Sequence, residues 1–252
     1  MNLEEATKLK NRLSKIMDHA ESGTLRVTFY GGPGTGKSTT NALVFGRLKQ
    51  HGLNVEMSHE YAKDLVWESR GAALGYQPYI IAKQMWRERR LEGQVDAILT
   101  DTSTLFSSIY GSEENGVTPA FTEWVLDEYK RANRLDFFLT RDPNREYNPN
   151  GRTQKTIEEA SEADAEIRLL LDSNEIDYEV VQVDKDGGEY IDYLAWRIEN
   201  HLAIQGMYDG AVDVKMLPKI KKLSAFDFWL PEKEEENVES SNPNVIRQAF
   251  GF

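Results

Sequence analysis

The stretch that decides the fold is LRVTFYGGPGTGKSTT, residues 25–40, in which an apolar segment runs directly into a glycine-rich one. Residues 25–30 carry the β-branched and aromatic side chains that are typical of a strand. Residues 31–38 fit the pattern GxxxxGK followed by Ser or Thr, the phosphate-binding P-loop, and residues 39–50 indicate a helix. A P-loop requires this order of strand, loop and helix, so the sequence predicts a nucleotide-binding site.

Each residue type in the P-loop has its own task in holding a polyphosphate. Glycines let consecutive backbone N–H groups and the positive end of the following helix converge on phosphate oxygens. Lys37 is expected to reach the β and γ phosphates of ATP, and the Ser38 hydroxyl is expected to bind Mg²⁺. The residues predicted to hold ATP are Gly32, Pro33, Gly34, Thr35, Gly36, Lys37, Ser38 and Thr39. A glycine-rich turn without a nucleotide is the alternative, but such a turn would not need Lys-Ser after its last glycine.

Four further strands follow the P-loop strand and alternate with helices. These strands are predicted at residues 55–59, 95–100, 135–140 and 178–183. Alternation of this kind requires a mainly parallel sheet that helices cover on both faces. We therefore predict an α/β protein with a P-loop NTPase fold, a mainly parallel five-stranded sheet and a C-terminal appendage.

The predicted P-loop domain covers residues 1–206 and begins with an amphipathic helix at residues 3–21. Within it, residues 141–154 form a long loop rich in Arg, Asn, Pro and Gly, and a loop of that kind is usually functional or disordered. Residues 207–252 combine a basic stretch, an aromatic patch and an acidic run, so we assign them to the appendage. The aromatic patch would dock onto the domain itself or onto a partner.

Composition excludes several classes of chemistry. The chain has no cysteine, which removes disulfides, Cys-ligated zinc, iron–sulfur clusters and thiol catalysis. Its four histidines match no metal-binding spacing. A net charge of −12 excludes a generally basic nucleic-acid coat. No apolar run approaches the ~20 residues that span a bilayer, and the start resembles no export signal, so we expect a cytoplasmic protein with no membrane partner.

Two carboxylates that follow predicted strands are candidates for metal binding and catalysis. Asp101 comes after an apolar strand beside the P-loop, which suits a Mg²⁺ ligand acting directly or through water. The alternative is a helix N-cap formed by Asp101, Thr102 or Ser103. Glu60 comes at the end of the second strand, directly after it, where it could accept the proton of an attacking hydroxyl, with Asp64 as second choice. The alternative for Glu60 is an acid that complements a helix dipole.

Arginines in and around the long loop are candidates for stabilising the transferred phosphate. Phosphoryl transfer spreads negative charge over the equatorial oxygens, and a guanidinium on a closing loop would neutralise that charge while excluding water. Arg152 is the strongest candidate because it lies at the foot of the following helix; Arg141 and Arg145 are its neighbours in this cluster. A solvated arginine is the alternative.

Several segments together give the chain a family resemblance. Beside the P-loop and the strand that ends at Asp101, these are EYAKDLVWE from residue 60, QPYIIAKQ from residue 77 and YNPNGRTQ from residue 147. With this spacing, residues 25–202 resemble the small P-loop kinases related to nicotinamide riboside kinase domains and deoxynucleoside kinases. The chain is similar in particular to the bacteriophage members described as 5-hydroxymethyl-deoxyuridine DNA kinases.

The resemblance implies ATP and Mg²⁺ binding, a hydroxyl acceptor and a lid arginine, which match Lys37, Ser38, Glu60, Asp101 and Arg152. It also implies a nucleotide-type acceptor, for which the first choice is the hydroxymethyl group of 5-hydroxymethyluracil in phage DNA. The location it implies is the host cytoplasm. One departure stands out. Deoxynucleoside kinases often carry Glu-Arg-Ser after the third strand, where this chain has Asp101-Thr-Ser.

Two rival functions stay open at this stage. A kinase acting on a free nucleoside or nucleotide would need no DNA contact, and the net charge of −12 opposes broad phosphate binding. A local basic face could still suffice, and the segment from Trp86 to Arg90, WRERR, is one candidate, although basic residues at a helix end also occur for dipole reasons. The other rival is a P-loop ATPase that drives a partner.

Overall fold

The computed structural model describes residues 23–142, 146–148, 156–184 and 188–206. Several predicted features lie outside these residues, namely the helix at 3–21, the appendage at 207–252 and most of the loop at 141–154. Arg145 and Arg152 are among the residues that are not described.

The described residues form one five-stranded sheet. Its strands are β1 (Leu25–Tyr30), β2 (Val55–Ser58), β3 (Ala97–Thr100), β4 (Arg134–Thr140) and β5 (Glu179–Gln182). Their order across the sheet is β2-β3-β1-β4-β5, and every neighbouring pair is parallel. The predicted fold class, an α/β protein with a five-stranded parallel sheet, is confirmed.

Helices connect the strands. They are α1 (Lys37–Gln50), α2 (Tyr61–Trp67), α3 (Gly71–Leu74), α4 (Gln77–Arg89), α5 (Ser107–Tyr110), α6 (Pro119–Arg131), α7 (Ile157–Ser173) and α8 (Gly188–Ile204). Two one-turn 3₁₀ helices, Thr104–Phe106 and Glu113–Asn115, lie between β3 and α6.

The sheet is buried on both faces, which explains its nearly continuous apolar strands. On one face α1 and α8 pack over β1, β3 and β4, and Leu99 and Phe137 are fully buried there. On the other face α4, α6 and α7 cover Tyr30 and Phe138. Truncating a buried leucine of such a core to alanine costs about 2–5 kcal/mol.

The topology brings the predicted site to one edge of the sheet. Because all strands are parallel, the segments that follow them emerge at the same edge. The chain leaves β1 for β2 and β3 on one side and then returns for β4 and β5 on the other. The P-loop follows β1 at this switch point, with Asp101 after β3 and Arg141 after β4.

The predicted boundary was wrong at the helix that follows the P-loop. Helix α1 begins at Lys37 rather than at residue 39, so the P-loop lysine and serine belong to its first turn. Helix α4 begins at Gln77, and Pro78 occupies its first turn, where a proline is tolerated. Sequence periodicity also missed α3 and α5, since each has only four residues.

Candidate functional site

The P-loop turns sharply at positions that only glycine occupies without strain. Gly31 has φ of 139°, Gly34 of 84° and Gly36 of 90°. A Cβ atom on Gly31 would come within 2.8 Å of both the Leu139 carbonyl oxygen and the Thr35 hydroxyl. The loop therefore passes close to β4, and its glycines are required by backbone geometry as well as by the motif.

The N-terminus of α1 offers backbone donors beside this loop. The Thr40 N–H donates to the Gly36 carbonyl at 2.8 Å, which is the first bond of the helix. The N–H groups of Lys37, Ser38 and Thr39 precede that bond, and such first-turn groups have no partner inside a helix. Together with the positive end of the helix dipole, they form an arrangement that binds phosphate.

Lys37 folds back over the loop. Its Nζ atom donates to the carbonyl oxygens of Gly31 at 2.6 Å and Gly32 at 3.1 Å. Burial lowers the pKa of Lys37, and the carboxylates of Asp101 and Asp164 oppose that shift. A partly desolvated ammonium gains more from a polyphosphate than a hydrated one does, because screening by water is weaker.

Ser38 and Asp101 meet directly. The Ser38 hydroxyl donates to the Asp101 carboxylate at 2.5 Å, and β3 pairs with β1 so that the two segments are neighbours. Ser103, and not Asp101, caps the following 3₁₀ helix, because the Ser103 hydroxyl accepts from the Leu105 N–H. The hydroxyl and carboxylate predicted to bind Mg²⁺ are thus side by side.

Glu60 lies at the N-cap position of α2 but makes no capping bond with its side chain. Burial raises the pKa of Glu60, and the charge of Asp101 raises it further, while Lys63 and Lys37 act in the opposite direction. The second candidate, Asp64, is occupied elsewhere, since its carboxylate forms an ion pair with Arg87. Of the two acids, Glu60 is therefore the one without an ion-pair partner among the described residues.

Asp164 and Arg141 hold the P-loop from the other side, an arrangement that sequence reasoning missed. The Asp164 carboxylate accepts from the Gly32 N–H at 2.5 Å and forms an ion pair with Arg141. Arg141 also donates to the carbonyl oxygens of Pro33 at 2.8 Å and Ala160 at 2.9 Å.

These contacts join the loop to α7, the helix that follows the residues 141–154. Burial raises the pKa of Asp164, and Arg141 opposes the shift. The signal in the sequence was faint. The small buried residues Ala160 and Ala163 mark the face of α7 that lies closest to its neighbours, and Asp164 adjoins that face.

A buried hydroxyl network supports the end of β1. The Tyr30 hydroxyl donates to the Ser103 hydroxyl at 2.8 Å and lies 2.5 Å from the Tyr129 hydroxyl. Tyr129 in turn donates to Asp136 at 2.7 Å. Because Tyr30 precedes the P-loop and Ser103 follows Asp101 by two residues, the network connects both halves of the candidate site.

The residues present fit Mg²⁺ and ATP by their chemistry. An ammonium, a hydroxyl, a carboxylate and free helix N–H groups are the donor set that a magnesium-bound polyphosphate needs. Within the described part of the chain, no group of three His, Cys, Asp or Glu side chains is arranged to hold a metal ion by itself. None of the described helices is long and apolar enough to cross a bilayer.

Comparison with known proteins identifies the family. A family model described as an AAA domain matches residues 26–189, from β1 to the start of α8, and the chain belongs to this family. Membership identifies the chain as a P-loop protein of the nucleotide-binding class and implies ATP binding. A comparison with curated proteins found no match.

Proposed function

We propose that this member of the AAA domain family is an ATP-dependent kinase that transfers the γ-phosphate to a hydroxyl of a nucleotide-type acceptor. The observation that carries the proposal is the environment of the Glu60 carboxylate. This carboxylate is not used for capping or ion pairing among the described residues, yet it stands in the electrostatic field of Lys37 and Asp101. A carboxylate with a raised pKa beside a phosphate-binding lysine suits a general base.

MgATP, as the phosphate donor, would be held by residues of the P-loop and by Asp101. Lys37 would contact the β and γ phosphates, and the N–H groups of the first turn of α1 would contact phosphate oxygens. Ser38 and Asp101 would hold Mg²⁺, which neutralises the charge of the phosphates. The Asp164–Arg141 pair would hold the backbone of the P-loop in position while MgATP is bound.

The reaction is a displacement at the γ-phosphorus. The acceptor oxygen forms a bond to that phosphorus, and the bond between the phosphorus and the oxygen bridging to the β-phosphate breaks, which releases ADP. Glu60 takes the proton of the acceptor hydroxyl. Arg152, which we propose as the lid arginine from its sequence position, would stabilise the equatorial oxygens.

The acceptor we propose is the hydroxymethyl group of 5-hydroxymethyluracil in DNA, with transfer taking place in the cytoplasm of a phage host. The family resemblance of residues 25–202 supports this choice. Such a base must leave the stack before its hydroxyl can reach Glu60, so the strand around it would need its own contacts. A free nucleoside or nucleotide is the alternative acceptor.

Transfer of labelled γ-phosphate tests the proposal. ATP labelled at the γ position is offered with free nucleosides, mononucleotides, unmodified DNA and DNA that contains 5-hydroxymethyluracil. We expect label on the modified DNA and none on unmodified DNA. Label on nucleosides or mononucleotides alone would keep the kinase but change its acceptor.

An ATPase is the second candidate, because the family is described by its AAA domain. In that case ATP would be hydrolysed and the released energy would drive a partner. Label found only in inorganic phosphate, with every acceptor present, would favour the ATPase and overturn the kinase.

A further inference from the structure

A cleft opens at the end of β2, the outer strand of the sheet, one residue before the candidate base in the chain. It measures about 330 Å³, within the roughly 300–1,000 Å³ that is common for ligand sites. One wall is the end of β2, from Met57 to His59. The other wall is the end of α4 and the residue that follows it, with Trp86, Arg87 and Arg90.

Trp86 is poorly explained as a core residue. Its side chain is 64% exposed, although tryptophan is among the residues with the most apolar surface to bury. The side chain instead lines the cleft and is largely open to solvent. Exposed aromatic rings are stacking surfaces for nucleic-acid bases, whichever base is present.

The two arginines of the cleft differ in how they are held. Arg87 is fixed, because it donates to the His59 carbonyl at 3.0 Å and forms an ion pair with Asp64. Arg90 donates through Nε to the Arg87 carbonyl at 3.3 Å. Within the described residues Arg90 has no acidic partner, so its guanidinium is available for an anion.

The last residue of α4, which precedes Arg90, makes the contrast clear. Arg89 is as exposed as a typical surface arginine, and its guanidinium lies 3.8 Å from Glu128. It does not line the cleft. The available cation is therefore the one that faces the same space as Trp86, and not simply any arginine of the WRERR segment.

The cleft also adjoins the candidate base in the chain. His59 lines it and is followed directly by Glu60, and consecutive Cα atoms are only about 3.8 Å apart. A nucleotide whose hydroxyl reached Glu60 would have its neighbours in the strand close to this space.

An exposed aromatic ring and a guanidinium without an acidic partner among the described residues are complementary to a base and its phosphodiester. The geometry points to a strand-binding subsite: the cleft of Trp86, Arg87 and Arg90 holds the single-stranded nucleic acid next to the acceptor nucleotide. This inference rests on the proposed kinase function and names its substrate class as a polynucleotide. A free nucleoside has no phosphodiester and would leave the subsite unused.

Steady-state kinetics with two acceptors test the subsite. One acceptor is a single-stranded oligonucleotide with one 5-hydroxymethyluracil, and the other is the corresponding free nucleotide. Trp86→Ala should raise KM for the oligonucleotide roughly 5- to 150-fold, the range for one lost base–aromatic stack. KM for ATP, and the kinetics with the free nucleotide, should stay within twofold.

Arg90→Ala should weaken oligonucleotide binding and also reduce its salt dependence. The slope of log affinity against log salt should become shallower by about 0.7, as expected for one lost contact to a single strand. Arg89→Ala is the matched control, since it removes an exposed arginine of the same helix that lies outside the cleft. Trp67→Ala is the control for the ring, because Trp67 is 83% exposed and does not line the cleft.

The possible failures can be told apart. An unchanged oligonucleotide KM in both Trp86→Ala and Arg90→Ala, or an equal rise in Arg89→Ala, would overturn the subsite. Transfer to the free nucleotide with none to the oligonucleotide would overturn it while the kinase stands. If the label went only to water, the kinase would fail, and fluorescence anisotropy of a labelled oligonucleotide with wild type and Trp86→Ala would still decide whether the cleft binds a strand.

Discussion

The P-loop region and the cleft at β2 are built in opposite ways. The P-loop is bonded on both flanks, by Asp164 to Gly32 and by Asp101 to Ser38, each at 2.5 Å. In the cleft, Trp86 is 64% exposed and the guanidinium of Arg90 has no acidic partner among the described residues. One region is held in a fixed shape by the protein, and the other offers unused contacts.

Under the proposed kinase function, the difference assigns the phosphate donor to the P-loop region and the acceptor to the cleft. Preorganised donors stabilise developing charge without reorganisation during the reaction, which suits the part of the site that always meets the same triphosphate. Exposed aromatic and basic groups gain binding energy only when a ligand covers them. We therefore expect changes in the P-loop region to alter ATP use, and changes in the cleft to alter acceptor use.

Lys37→Ala should have the largest effect. Loss of the only P-loop ammonium should lower kcat by about 10³-fold or more, since its charge is needed by the phosphates in the transition state. Phosphoryl transfer under saturating ATP gives the value, and an unchanged thermal unfolding curve serves as the control for folding. Activity within tenfold of wild type in a folded variant would contradict the assigned phosphate site.

Glu60→Gln should lower kcat by roughly 10²–10⁴-fold with little change in ATP affinity, as expected for a lost general base. The pH profile sharpens this test. The base must be deprotonated, so kcat/KM should rise with pH through the pKa of Glu60, which burial and Asp101 raise above its ordinary 4.5.

The glutamine variant should lack this acid limb. A loss of kcat of less than tenfold, with the acid limb of the pH profile retained, would mean that another group is the general base. Asp64→Asn is the matched control, because Asp64 is paired with Arg87 and should affect kcat only weakly.

Ser38→Ala should act through the metal. Binding of ATP should weaken about tenfold with Mg²⁺ present and change little with Mg²⁺ chelated, because a hydroxyl that binds the ion matters only when the ion is there. Isothermal titration under both conditions measures the difference. Equal losses in the two titrations would exclude the hydroxyl as a metal ligand.

Asp164→Asn should distinguish the role of Asp164 in positioning the P-loop from a role in phosphoryl transfer itself. Asparagine can still accept from the Gly32 N–H but cannot pair with Arg141, so the ATP KM should rise about three- to tenfold, with kcat nearly unchanged. Asp172→Asn, on the same helix, is the control, since Asp172 accepts from the Tyr178 hydroxyl instead. An equal effect of both variants would indicate a general loss of helix stability.

Tyr30→Phe should have the smallest kinetic effect. The change removes a buried hydroxyl that bonds Ser103 at 2.8 Å and leaves Tyr129 bonded to Asp136. We expect a loss of about 1–2 kcal/mol in the free energy of unfolding, measured in urea, with kcat within about twofold. A large loss of kcat without a loss of stability would mean that the network also tunes the site.

The sequence was sufficient to predict the sheet and the P-loop, because the residues that indicate each of them are contiguous or nearly so. Residues 25–30 and 31–38 are contiguous, so their pattern contains the whole strand and loop. Glu60 and Asp101 could also be predicted as site residues, since each follows a strand that periodicity identifies. Their neighbourhood follows from parallel topology alone.

The supports of the site were not predictable because they join distant segments. Gly32 and Asp164 are separated by 132 positions, and nothing in a P-loop pattern requires an acid on a later helix. The cleft has the same origin. Trp86 and Arg90 become neighbours of His59 only when α4 packs beside β2, and helical periodicity alone does not tell an exposed ring from a buried one.

The fate of the γ-phosphate, followed with and without the acceptor strand, tests the central claim most directly. Labelled ATP is mixed with enzyme and Mg²⁺, and label on the 5-hydroxymethyluracil oligonucleotide and in inorganic phosphate is counted over a single turnover. The account predicts slow loss of label without the strand, and one phosphate on the strand for each ADP formed with it. Release of inorganic phosphate at the same rate with and without the strand would contradict the account.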